Sequence, residues 1–231
     1  MRVLLAFLMA LLAFPAFAAD ALPKQAYTLL HELRAIQEAS WPDATAPSFL
    51  GAQVEQETCP SLRHRDCWNP RAELKTSREH GVGLGQYTVA YRDDGSVRFD
   101  KLTELSQTYS SLRGWSWKNW YDPHYQLTAL VEMDHSIYRR VAGAATSTDR
   151  LAFTLSAYNG GESGVRQDRV LCGNMLACDP ARWFGNVEKY SIKTRKVNSG
   201  YGHSAFDINR EYVRNVIYVR RAKYEPFFTD K

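Results

Sequence analysis

Apolar residues recur at helical spacing over most of the chain. Between Pro23 and Ala39 the stripe is Ala26, Leu29, Leu30, Leu33 and Ile36, joined by Gln37, and Trp41-Pro42 breaks it. Phe49 to Thr58 predicts a shorter helix, ended by Cys59-Pro60. Leu127, Leu130, Val131, Ile137, Tyr138 and Val141 predict another. Leu151 to Tyr158 is apolar on almost every side, the mark of a central helix, and Asn159-Gly160-Gly161 is placed to cap it. Tyr212, Val216 and Val219 mark a last amphipathic helix. Period-two patterning appears once. Tyr87 to Tyr91 and Val97 to Phe99 flank Asp94-Gly95, which predicts a β-hairpin. Before it, Gly81-Val82-Gly83-Leu84-Gly85-Gln86 predicts a flexible or tightly turned backbone. No repeat, low-complexity stretch or linker interrupts this order. The pattern therefore predicts one mainly α domain with a small β-hairpin.

One polar residue breaks the pattern. At about 100° per residue, with Leu50 at 0°, Val54 falls at about 40° and Glu57 at about −20°. Glu55 falls at about 140°, on the side expected to face water. Glu57 thus points where Leu50 and Val54 point. Burial without a cation disfavours the ionised carboxylate, and an acid kept protonated near neutral pH can act as a general acid. The competing reading is a hydrogen-bonded, inert residue at the rim of the helix. Asp134 is a second acid on an apolar stripe, at about −20° from Leu127. It is expected to be a hydrogen-bonded acid behind the site, with a catalytic role as the alternative.

The first residues bound the compartment. Arg2, the apolar run Val3 to Phe14 and Ala16-Phe17-Ala18 form the pattern of a secretory signal over residues 1–19, a retained signal-anchor being the alternative. Its removal leaves about 212 residues, enough for one sizeable core. The formal net charge of +4 falls to about +3, and the basic residues are scattered, which argues against a nucleic-acid partner. Four cysteines lie as two close pairs, Cys59 with Cys67 and Cys172 with Cys178. Disulfides suit an exported chain, and two local loops are the simplest of three connectivities. Zinc is the alternative, but neither pair has finger or ribbon spacing, and His64, His80 and His124 show no ligand pattern. No metal is expected.

Three short patterns then follow one another: Gln56-Glu57-Thr58 with Trp68-Asn69-Pro70-Arg71-Ala72, then Gly83-Leu84-Gly85-Gln86, then Ala157-Tyr158-Asn159-Gly160-Gly161. Asp122-Pro123 opens the next helix, and Tyr212-Val213-Arg214-Asn215-Val216 closes the set. From roughly Phe49 to Tyr224 this resembles the lytic transglycosylase family of lysozyme-like enzymes that cut peptidoglycan glycan strands. Thr58 stands where the family has Ser, and Gly85 stands where it has Met or another apolar residue, which predicts a wider groove wall. The Cys59–Cys67 segment resembles an insertion.

The resemblance implies a lysozyme-like domain over residues 20–231, with the hairpin beside an active-site groove. It implies Glu57 as the catalytic acid and base, and Thr58, Gln86, Tyr158, Asn159 and Tyr212 as substrate-binding residues. No cofactor is implied. The partner is peptidoglycan, the location periplasmic or extracellular, and the form a monomer, with wall remodelling, an envelope-spanning assembly and phage lysis as candidate roles. Each residue has a structural alternative: Gln86 as a hairpin brace, Tyr158 as core, Asn159 as helix cap. Trp115, Trp117, Trp120 and Tyr121 are either core or a sugar-stacking platform. Two rival functions stay open. A hydrolytic lysozyme would need a second carboxylate such as Glu73 or Glu79. A catalytically inactive glycan-binding envelope protein would need none.

Overall fold

The computed structural model describes residues 21–197 and 202–229; the predicted signal over residues 1–19 lies outside them. Helix α1 (Lys24–Ser40) buries the predicted stripe of Ala26, Leu29, Leu30, Leu33 and Ile36. Helix α2 (Ser48–Thr58) buries every residue from Ser48 to Glu55. The reason lies in the far C-terminal part of the chain. Helix α7 (Ala205–Arg214) runs on as a π-helical stretch, Asn215–Arg220, and then as 3₁₀ turns, Arg221–Phe227, and both continuations pack on α2. The side of α2 expected to face water is therefore covered.

Helix α4 (Pro123–Arg140) starts where the Asp122 side chain accepts a hydrogen bond from the His124 amide, with Pro123 in its first turn. Helix α5 (Ser147–Gly160) is buried from Leu151 to Ala157, as its all-round apolar character predicts. Asn159 lies inside this helix rather than capping it. The cap is Gly161, at φ +84°, a conformation that costs glycine little. Helix α6 (Glu162–Gly173) follows directly.

The predicted hairpin forms as β3 (Tyr87–Tyr91) and β4 (Val97–Asp100), and Asp100 then caps helix α3 (Lys101–Thr108). It is half of a larger element. Two further strands, β1 (Glu73–Lys75) and β2 (Glu79–Val82), extend it into a four-stranded antiparallel sheet in the order β1-β2-β3-β4. The glycine-rich stretch is thus part strand and part tight turn. The main core joins α1, α2, α4, α5 and α7 through residues such as Leu30, Leu50, Leu130, Phe153 and Val213. A second core of Val82, Tyr87, Leu102, Leu112 and Trp115 seats the sheet and α3 on the Ala129 side of α4. Among the described residues the molecule is mainly α with a small β element.

Both local disulfides form, Cys59–Cys67 and Cys172–Cys178, which suits an oxidising compartment. Among the described residues no helix is long and apolar enough to cross a membrane, and no group of His, Cys, Asp and Glu gathers as a metal site.

Candidate active site

Glu57 sits in the last turn of α2, half-buried, one turn beyond Gln53. The Tyr212 hydroxyl of α7 donates a 2.6 Å hydrogen bond to Glu57 Oε1. Burial pushes the Glu57 carboxyl up to about 7, against the smaller opposing pull of that hydrogen bond. Glu57 therefore holds a proton near neutral pH and can release it there.

Glu55 behaves oppositely. It is 2% exposed, not in water as the helical wheel predicts. Arg220 Nη1 and Lys223 Nζ pair with its Oε1, the latter at 2.8 Å, and the Tyr224 hydroxyl donates to Oε2 at 2.5 Å. A buried carboxylate with two cations is a structural ion cluster. The two acids of one helix turn are separated by their partners, a lone tyrosine for Glu57 and two cations for Glu55.

A groove of about 780 Å³ runs between the sheet, α3, α4 and the end of α5. Gln86, Tyr158 and Asn159 line it, together with Arg98, Met133 and Arg140. Glu57, Thr58 and Tyr212 do not. Tyr158 connects the two sets, because its ring stacks on that of Tyr212 at 6.3 Å and 14°. Its hydroxyl donates to Gly85 O at 2.8 Å. The groove thus ends one tyrosine away from the residue that holds Glu57.

Each predicted binding residue has a definite place. Thr58 faces inward: its hydroxyl donates to Val54 O at 2.7 Å and accepts from Trp68 N at 3.0 Å. This ties the disulfide loop to α2, so Thr58 positions rather than contacts. Gln86 adopts φ +47°, an uncommon left-handed conformation, and its amide donates to Gly83 O at 3.0 Å. It braces the turn and lines the groove at once. Asn159 is exposed at the groove, and its Oδ1 accepts from Asn209 Nδ2 at 3.0 Å. The buried Asn209 in turn joins Ser156 and Arg210.

Gly85 does not widen the wall. A Cβ there would stand 2.6 Å from the Tyr87 hydroxyl and 2.7 Å from that of Tyr158, so two phenols fill the space. Gly83 is as constrained, at φ +73° with the Gln126 amide 2.2 Å from where a Cβ would be. Gln126 is fully buried. It accepts from Leu84 N and donates to Pro70 O and Trp120 O, joining separate loops behind the site. Nothing in the helical periodicity distinguishes Gln126 or Asn209 from other polar positions, and sequence reasoning missed both.

The aromatic candidates and Glu73 are engaged with neighbouring side chains. Trp115 is buried edge-on to Tyr87, and Trp117 donates to Asp100 at 2.7 Å. The guanidinium of Arg71 covers the Tyr121 ring at 3.8 Å. Glu73 is paired with His80 at 2.9 Å on the sheet. Asp134 is fully buried, but none of its oxygens reaches a hydrogen-bond partner among the described residues, contrary to expectation. Burial drives its carboxyl well above the ordinary range.

No protein-family model matches the chain, and no curated protein is significantly similar to it.

Proposed function

We propose that this chain is an exported lytic transglycosylase that cleaves the MurNAc-GlcNAc β-1,4 bond of peptidoglycan and leaves 1,6-anhydro-MurNAc ends. The observation that carries the reading is Glu57. Its carboxyl is pushed up to about 7 by burial, is fixed by Tyr212, and is joined through Tyr212 and the stacked Tyr158 ring to a groove lined by Gln86, Tyr158 and Asn159. The ordered motifs quoted above support the same assignment.

In this reading the protonated Glu57 donates to the glycosidic oxygen as the C1–O4 bond breaks. The substrate N-acetyl oxygen stabilises the cation at C1. Glu57, now ionised and steadied by the Tyr212 hydroxyl, takes the proton of the C6 hydroxyl as the C1–O6 bond forms. The enzyme ends as it began, and no water is consumed. A midpoint near 7 suits one group that must both give and take a proton. The groove is large enough for several atoms of a glycan strand on one side of Glu57, with the cations Arg98 and Arg140 along it.

The test is mass spectrometry of muropeptides released from purified cell walls. Anhydro-muramyl ends support the proposal. Reducing ends would instead assign a hydrolase on the same site, and no release would assign a binding protein.

A further inference from the structure

Behind Glu57 lies a group of polar atoms with no conventional explanation. Gln53 and Asp134 are both fully buried, and all four of their side-chain polar atoms lack a hydrogen-bond partner among the described residues. Such groups cost free energy when left unpaired, and the cost is largest for a charge. Gln53 lies one helical turn before Glu57 on the same face of α2. Its amide lies beside both Asp134 of α4 and Tyr212 of α7, short of hydrogen-bond geometry with either. Tyr212 then donates directly to Glu57. The order in space is Asp134, Gln53, Tyr212, Glu57.

The groups acting on Asp134 come from four elements: Gln53 and Glu57 from α2, Tyr87 from β3, Tyr158 from α5 and Tyr212 from α7. None is a cation. An ionised Asp134 here would be an isolated buried charge beside a second carboxyl. The phenol protons of Tyr87, Tyr158 and Tyr212 are already given to Gln126 O, Gly85 O and Glu57, so a neutral Asp134 supplies the one uncommitted O–H donor of this group. A carboxylic acid kept neutral by its surroundings is an effective donor at neutral pH.

We propose that Asp134 is a positioning residue for Glu57: an uncharged acid that donates to the Gln53 carbonyl, turns the Gln53 amide toward the Tyr212 oxygen and so holds the Tyr212 hydroxyl on Glu57. The direction of every bond follows from the single proton on Asp134. Asp134→Asn keeps the shape and a donor. Asp134→Leu keeps the branched outline and removes the donor.

The mechanistic consequence rests on the function proposed above, but the test does not require turnover. Side-chain carboxyl titration by ¹³C NMR on the whole folded chain follows Asp134 and Glu57 directly. In the parent, Asp134 is expected to stay protonated far past the ordinary carboxyl range. Asp134→Leu should raise the Glu57 midpoint by about one pH unit, because the support for its ionised form is lost. Gln53→Leu should do the same, and the double variant no more, because both act along one path. Asp134→Asn should leave the midpoint within about 0.3 unit. On cell walls, the alkaline limb of the kcat profile should move with the midpoint while KM holds. An Asp134 that ionises below about pH 6 would overturn the proposal. So would a folded Asp134→Leu chain with an unmoved Glu57, or an Asp134→Asn chain with a midpoint shifted by a full unit. Should Asp134→Leu fail to fold, the parent titration and Asp134→Asn decide the matter. If the titrations come out as expected and the chain cuts no glycan, the role of Asp134 stands and the functional reading falls.

Discussion

Tyr212 and Glu57 are 155 residues apart in the chain and meet through a 2.6 Å hydrogen bond from the phenol to the carboxyl. That bond and burial act on the acid in opposite directions, and burial wins. Replacing the donor should shift the balance further. In Tyr212→Phe the Glu57 midpoint should rise by about half to one pH unit, the equivalent of one lost hydrogen bond. The pH–activity profile on peptidoglycan would show the alkaline limb at higher pH and a lower maximum.

Glu57→Gln should abolish wall cleavage, with a loss of about 10²–10⁴-fold or more, since one group serves both proton transfers. The same variant has a stability signature. The folded midpoint, about 7, lies above the ordinary glutamate value of 4.5, so between the two the native state holds a proton that the unfolded chain has released. Stability from this group is complete below pH 4.5, is lost as pH rises toward 7 and stays lost above it. Glu57→Gln removes that dependence. Urea unfolding should find the variant more stable than the parent by about 1–3 kcal/mol at pH 8, with a smaller difference at pH 4.

Glu55→Gln should destabilise rather than serve as a neutral control. It leaves Arg220 and Lys223 beside a buried site without their carboxylate. The expected loss is about 2–4 kcal/mol, below the range for fully buried pairs because both cations are partly exposed. Thermal unfolding would register it as a drop of several degrees. Glu32→Gln, on α1 and paired at the surface with His124, is the better control and should change neither stability nor activity measurably.

Gly85→Ala should lower activity more than its size suggests. The new methyl would press on the hydroxyls of Tyr87 and Tyr158, and Tyr158 is the ring between the groove and Tyr212. Overpacking of this kind costs about 1–3 kcal/mol. Tyr158→Phe relieves part of the clash, so Gly85→Ala with Tyr158→Phe should be more stable than Gly85→Ala alone in the same urea assay.

Opening Cys59–Cys67 by paired Cys→Ser replacement should cost about 2–3 kcal/mol, the range for a short closed loop. Peptide mapping without reductant checks the pairing first. Trp68 follows Cys67 directly, at φ +56° and hydrogen-bonded to Tyr224, so its indole fluorescence should report the loss.

The helices and the out-of-place Glu57 were legible because both are local: each follows from spacing within a few turns. Glu55 was misread because a helical wheel assumes one wet side, and α2 is covered by the segment 215–227, which sequence proximity cannot reveal. Strands β1 and β2 escape a sequence reading because Glu73-Leu74-Lys75 and Glu79-His80-Gly81-Val82 carry little strand propensity of their own and owe their form to pairing, β2 with β3 and β1 with β2. Asp134 was visible as an anomaly, but its neighbours on α2, α5 and α7 were not. Val219 was placed on the apolar face by a 3.6-residue period, yet it is 61% exposed because the helix there is not α.

That π-helical stretch sets the phase of everything after it. Its wider turn rotates the last part of the chain relative to α7, so that Tyr212 before it faces Glu57 while Arg220 and Tyr224 after it face Glu55. A single continuous rod thereby reads two sides of the same short helix. Deleting one residue between Val216 and Val219 would convert the stretch to ordinary α-helix and turn the downstream side chains by about 100°. The hydroxyl on the candidate acid would keep its place, and the two cations would swing off the structural one. The extra residue acts as a spacer that lets a tail with one trajectory obey two separate registers.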